Sequence, residues 1–94
     1  MNILINDGLS VNGIKALEEA KFKVFNTKVA PSQLADYINK NNIEIILVRS
    51  TTKISEELID QCPKLQLIGR AGVGLDNINV AYAETKGIKV IHTP

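Results

Sequence analysis

Short apolar runs alternate with amphipathic stretches along the whole of this chain, and that alternation leaves few folds open. The strongest run is Ile43-Glu-Ile-Ile-Leu-Val48, which reads as a strand buried on both faces and central in its sheet. Ile3-Leu4-Ile5, closed by Asn6-Asp7-Gly8, has the same character. Phe22 to Asn26 interleaves lysine with apolar residues and fits an edge strand. Leu65, Leu67 and Ile68 form a fourth strand before Gly69, and Ile88, Val90 and Ile91 a fifth before His92-Thr-Pro94.

Helical stripes fill the intervals. Ser10 can cap a helix to about Ala20 with Val11, Ile14 and Leu17 on one face. Pro31 suits a first turn, and Leu34, Ala35 and Ile38 then form a stripe that runs out at Asn39 to Asn42. Ser55 can cap a helix carrying Leu58, Ile59 and Cys62, which Pro63 stops. A last helix runs from about Asn79 to Lys86, with Gly87 closing it. Five strands alternating strictly with four helices predict an α/β fold, a three-layer sandwich on a parallel sheet. The expected strand order is 2-1-3-4-5, as in flavodoxin-like folds. No fifth helix follows the last strand, so part of one sheet face is expected to be open or covered by something outside the chain. Residues 1–94 are read as one domain, a piece of a larger protein.

Composition narrows the partners. Eleven Lys plus Arg against ten Asp plus Glu give a formal net charge of +1, which supplies no field for nucleic acid or an acidic membrane. Aromatics are 4% and Trp is absent, so base-stacking platforms are not expected either. One cysteine, Cys62, excludes an intramolecular disulfide, and no stretch approaches the length of a membrane span. A soluble, cytoplasmic protein is expected.

In open α/β sheets, ligands bind beyond the carboxyl ends of the strands, near the point where strand order reverses. Two of those ends carry arginine: Arg49 after the third strand and Arg70 after the fourth. Adjacent strands lie ~4.8 Å apart, so two guanidinium groups there can converge on one anion, each with a planar fork suited to carboxylate or phosphate. The plainer reading is that each pairs with a surface carboxylate. The stretch Gly69-Arg-Ala-Gly-Val-Gly74 lets a ligand approach peptide N–H groups closely, or is only a tight turn. Its spacing is not that of the dinucleotide fingerprint. Asp7 is expected to be a solvated turn residue and Cys62 a buried structural thiol. His92, the only histidine, is expected to be an ordinary surface or loop residue, since no second histidine or carboxylate cluster in sequence makes a metal site with it. Asp76, Asn77 and Asn79 are expected to cap the next helix.

Val48-Arg-Ser-Thr-Thr-Lys-Ile54 and Leu67-Ile-Gly-Arg-Ala-Gly-Val-Gly-Leu-Asp-Asn-Ile78 resemble the two hallmark stretches of NAD-dependent D-2-hydroxyacid dehydrogenases. Gly-Arg-Ala-Gly-Val-Gly looks most like the D-3-phosphoglycerate dehydrogenase branch, and Lys86 to Pro94 matches that family's crossover into its nucleotide-binding domain. The resemblance covers essentially the whole chain. It implies the N-terminal substrate-binding domain of a two-domain or larger enzyme that oxidises 3-phosphoglycerate to 3-phosphohydroxypyruvate in serine biosynthesis. It further implies a substrate site at Arg49, Ser50, Arg70, Ala71, Gly72, Val73 and Gly74, with Val73 also lying against NAD. The catalytic residues, the main NAD site and the Gly-x-Gly-x-x-Gly loop are implied to lie downstream, so the chain alone is expected to be inactive. Its implied partners are the anionic substrate, the nucleotide-binding domain and, in the parent, a homo-oligomer. Asn79 stands where the family usually has aspartate, and His92 where asparagine is common.

Other functions fit less well. A phosphoacceptor receiver domain needs an acidic pair after the first strand and an aspartate after the third, where this chain has Asp7 alone and Arg49. A flavodoxin needs a hydroxyl-rich phosphate loop that Asp7-Gly-Leu-Ser10 does not supply. The remaining alternatives are a non-catalytic binding or self-associating module and a substrate domain for another D-2-hydroxy acid.

Overall fold

The computed structural model describes residues 1–72, 74 and 76–93, and Val73, Leu75 and Pro94 lie outside the described residues. Strands β1 (Asn2–Ile5), β2 (Lys23–Asn26), β3 (Ile45–Val48), β4 (Leu67–Ala71) and β5 (Lys89–Thr93) alternate with helices α1 (Val11–Glu19), α2 (Pro31–Lys40), α3 (Glu56–Gln61) and α4 (Val80–Thr85). All strand pairs are parallel and the order is β2-β1-β3-β4-β5. The order and the layers match the sequence reading. β3 is the middle strand and β2 an edge, as their apolar content predicts.

Alternation along each strand divides the core in two. Leu4, Ile46, Val48 and Ile68 face α2, α3 and α4, meeting Leu34, Ile38, Leu58, Ile59 and Ala83. Ile3, Ile5 and Ile45 point the other way, where Leu9, Ile14, Leu17 and Leu47 pack against them. That second face is covered by α1 alone among the described elements. At its β5 end Ile91 remains 43% exposed, and Leu9, Leu47, Gly69 and Ile91 line a shallow cleft of about 180 Å³. Gly69 lets Leu47 lie flat across the strand there, because a Cβ on it would stand 2.6 Å from Leu47 Cδ2 and push that side chain aside.

Several local expectations shift. Ser10 caps α1 by accepting from the Gly13 amide at 3.0 Å, but Val11 is 70% exposed and not on the inward stripe. α1 has no fully buried residue, and Ile14 and Leu17 alone of its expected stripe pack against the sheet. Strands β2, β3 and β4 begin one or two residues later than the apolar runs suggest. Phe22, Ile43 and Leu65 pack into the core from the approach to the sheet, before ladder pairing starts. β4 runs on to Ala71, so Arg70 lies within the strand and not after it. β5 runs on through His92, which pairs in register with Arg70 and is a surface residue as expected, on a strand and not in a loop. Cys62 is buried, and burial raises its thiol pKa to about 11, as expected for a structural cysteine. Among the described residues no helix is long and apolar enough to cross a membrane.

Ile46 is fully buried at the centre of the sheet. Ile46→Ala is expected to lower unfolding stability by about 2–5 kcal/mol. Val11→Ala should change it by less than about 0.5 kcal/mol. Urea denaturation of both variants checks this, and equal effects would contradict the assignment of core and surface.

Candidate functional site

The carboxyl ends of β1, β3 and β4 meet in a polar network. It is built around the segment Arg49–Thr52, which leaves the sheet at the end of β3 and so loses its ladder partners. Backbone groups in that position must find other partners or stay hydrated. Here side chains from the neighbouring strand ends supply them.

On the amide side the partner is Asp7. Its side chain is only 2% exposed, and its carboxylate accepts five hydrogen bonds. The Arg49 amide donates to Oδ2 at 2.7 Å and the Thr52 amide to the same oxygen at 3.2 Å. The hydroxyls of Thr51 and Thr52 donate to Oδ1 at 2.7 and 2.6 Å, and Lys28 Nζ reaches Oδ1 at 2.5 Å. Burial by itself pushes the Asp7 pKa up. The bonds from Lys28, Thr52, Thr51 and the Arg49 amide outweigh it and hold the carboxyl well below the usual carboxylate range. The expectation of a solvated turn residue is therefore wrong. Gly8, at φ +86°, makes the turn directly after Asp7, and sequence alone could not show that five donors converge on the carboxylate.

Behind Asp7 lies a buried polar pair. Asn6 Nδ2 donates to Thr52 Oγ1 at 2.8 Å, and Asn6 Oδ1 accepts from the Val29 amide at 2.8 Å. Asn6, Thr52 and Asp7 thus form a relay in which each donor polarises the next. Among the described residues no buried side-chain nitrogen or oxygen lacks a partner.

On the carbonyl side the partner is Asn77. Its Nδ2 donates to the Arg49 and Thr52 carbonyls, both at 2.6 Å. Its Oδ1 accepts from Arg70 Nε at 2.9 Å. Its own carbonyl accepts from the Ile54 amide at 2.8 Å, within the isolated parallel bridge between Ile54 and Ile78. One side chain therefore joins Arg70 on β4 to the loop that carries Arg49. The expected helix cap is only Asn79, whose Oδ1 accepts from the Tyr82 amide at 3.1 Å.

Each sequence-predicted residue can now be placed. Val48 and Arg70 are register partners on β3 and β4, so Arg49 begins its loop one step beyond Arg70's neighbour. Arg49 and Ser50 are exposed and Arg70 is half-buried. Among the described residues neither arginine has a carboxylate within ion-pair distance; the ion pairs are Lys28 with Asp7 and Lys86 with Asp60. Ala71 ends β4 and is exposed. The Arg70 guanidinium lies over the glycine turn. A Cβ on Gly72 would stand 2.6 Å from Nη1, and one on Gly74 3.9 Å from Nη1 and 4.0 Å from Nη2. Gly72 also has φ +134°, a conformation side chains disfavour. Val73, expected at both substrate and cofactor, lies outside the described residues. His92 is exposed beside Arg70 at the end of β5.

The model for D-isomer specific 2-hydroxyacid dehydrogenases, catalytic domain, matches residues 3–94. This chain belongs to that family. It is 39% identical over its full length to a D-3-phosphoglycerate dehydrogenase of Methanocaldococcus jannaschii, of which it spans 18%. It is 35% identical, over 96% of its length, to a hydroxypyruvate reductase of Thermotoga maritima, of which it spans 29%. Among solved structures, the NAD+-bound 3-phosphoglycerate dehydrogenase of Entamoeba histolytica superposes with a TM-score of 0.82 at 30% identity. That match covers all of this chain and 33% of the other. This member of the 2-hydroxyacid dehydrogenase family thus spans a third or less of each of these relatives.

Two outcomes are expected of the network. Gly72→Ala should displace the Arg70 guanidinium and strain the turn, lowering stability by about 1–3 kcal/mol. Urea unfolding and the Arg70 Nε–H resonance report both effects, and an unmoved resonance would contradict the packing. Because the folded pKa of Asp7 is depressed, its contribution is complete above the unfolded value of about 3.9 and is lost as pH falls toward the folded value. The stability gap between the native chain and Asp7→Asn should therefore be level from pH 7 to about 5 and narrow below about 4. A gap that stays constant down to pH 3 would rule this out.

Proposed function

We propose that this chain is the substrate-binding part of an NAD-dependent dehydrogenase that oxidises 3-phosphoglycerate to 3-phosphohydroxypyruvate in cytoplasmic serine biosynthesis. The observation that carries this reading is the pair of arginines at adjacent strand ends, joined by Asn77 and free of carboxylate partners among the described residues. Ion-pairing surface arginines would sit against Asp or Glu. These two instead leave guanidinium N–H groups for an anion from outside. Arg49 and Ser50 approach it from one loop, and Arg70 with the turn from Ala71 to Gly74 from the other. The substrate carries a carboxylate and a phosphate, which suits two cationic forks better than one.

The clamp supplies position and charge. Hydride transfer loses rate steeply with small displacement of the reacting carbon, so rigid holding of the anionic ends is a direct contribution to catalysis. Two of the described groups are unsuited to accept the hydroxyl proton. Asp7 is fully hydrogen-bonded and too acidic to be a base near neutral pH, and Cys62 is buried with a raised pKa.

The residues present do not fit a dinucleotide. The turn after β1 places the buried Asp7 carboxylate where a pyrophosphate would need donors, and the glycine turn after β4 lacks the Gly-x-Gly-x-x-Gly spacing. The NAD site therefore belongs to a nucleotide-binding domain elsewhere in the protein, with Val73 as the contact from this side. The chain alone is expected to be inactive.

The resemblance to a hydroxypyruvate reductase favours one alternative, a 2-hydroxy acid without phosphate. Amide NMR titration of this chain with 3-phosphoglycerate and with D-glycerate separates the two. A half-site should bind 3-phosphoglycerate near 1 mM, about 4 kcal/mol. The shifts should fall at Arg49–Thr52 and Arg70–Gly74 and be lost in Arg49→Ala and Arg70→Ala. Tighter binding of D-glycerate would transfer the assignment to the unphosphorylated acid. No response to either at 10 mM or so would sink the preformed clamp.

A further inference from the structure

We infer that Asp7 is the positioning residue of this anion site, acting with Asn77 as a two-sided clamp on the backbone of Arg49–Thr52. The inference rests on the anion-site reading above and adds residues that touch no substrate. Asp7 takes the amides of Arg49 and Thr52 and the hydroxyls of Thr51 and Thr52. Asn77 takes the carbonyls of Arg49 and Thr52 from the opposite side. The same Asn77 accepts from Arg70 Nε, so the Arg70 guanidinium is oriented in the frame that fixes the origin of the Arg49 side chain.

The polarity of the clamp is specific. A segment held by its amides needs an acceptor-only group, and an ionised carboxylate offers about four acceptor positions on two oxygens. Asn77 must both donate to carbonyls and accept from a guanidinium, which a primary amide does and a carboxylate does not. Lys28 neutralises Asp7 from the side of β2. The buried negative charge therefore has a partner of its own, and neither arginine is drawn onto it.

The test has a ligand-free arm and a ligand arm, both on the full chain. In Asp7→Asn, hydrogen-exchange protection of the Arg49 and Thr52 amides should fall at least about tenfold beyond that of Ile46 and Ile68 in the sheet. Protection that falls no more than in the sheet would overturn the inference. Should Asp7→Asn fail to fold, Asn77→Ala, which removes the donor to the Arg49 and Thr52 carbonyls, should lower protection of the Arg49 and Thr52 amides beyond that of Ile46 and Ile68; protection that falls no more than in the sheet would count against the clamp. In the ligand arm, Ile38→Val serves as a distant core variant of reduced stability. Asp7→Asn should weaken 3-phosphoglycerate binding by about tenfold, and Ile38→Val by less than about twofold. Equal weakening would reduce Asp7 to a purely structural role. Absence of binding by the native chain would remove the proposed function, while the exchange data would still decide whether the clamp exists.

Discussion

The buried carboxylate of Asp7 is the interaction on which the carboxyl-terminal edge of the sheet depends. A carboxylate that is 2% exposed is costly unless its charge and lone pairs are matched. Here one lysine, two hydroxyls and two backbone amides do so at the point where β1 and β3 diverge from their loops. Removing one partner from such a group leaves the others facing an unsatisfied charge, so the contacts stand or fall together. The segment that follows β3 is therefore not a free loop, although it lies outside the ladder.

That arrangement also settles the local electrostatics. Three cationic side chains, Lys28, Arg49 and Arg70, stand at these strand ends with Asp7 among them. Had the carboxylate been exposed and mobile, either arginine could have collapsed onto it. Burial behind Thr51 and Thr52, with Lys28 alongside, removes that option. Arg70 is held through Nε by a neutral amide, which fixes the guanidinium plane without cancelling its charge. A cationic site that is ordered before an anion arrives loses less conformational freedom on binding.

Much of this was legible in the sequence, and the division between legible and not follows physical lines. Strand order, layers and the two arginines at neighbouring strand ends came from periodicity and from the rule that ligands gather at carboxyl ends, because both depend on residue type and spacing. Asp7 and Asn77 were misread because a polar residue in a turn looks the same whether it faces water or five donors. Telling them apart requires knowing which loops touch, and Asp7 meets partners 42 to 45 residues away. Asn77 next to Asp76 and Asn79 fits a cap by local pattern, and only the Ile54–Ile78 bridge shows that its loop lies against the one after β3. A signal was present in the density of small hydroxyl and amide residues within Ser50–Thr52 and Asn77–Asn79, which exceeds what two caps need.

The face of the sheet opposite α2, α3 and α4 raises a different point. With α1 as its one described cover, Leu47 is half-buried and Ile91 more than a third exposed at the β3–β5 end. The cleft there is bordered by Arg70, Ala71 and His92, so the open apolar surface and the charged strand ends share a boundary. A group that seated against Leu47 and Ile91 would lower the dielectric beside Arg70, which borders that cleft. Under the proposed function, apolar covering of that face and anion binding by the arginines would therefore be physically coupled, since closing the face would keep water from the Arg70 end of the site.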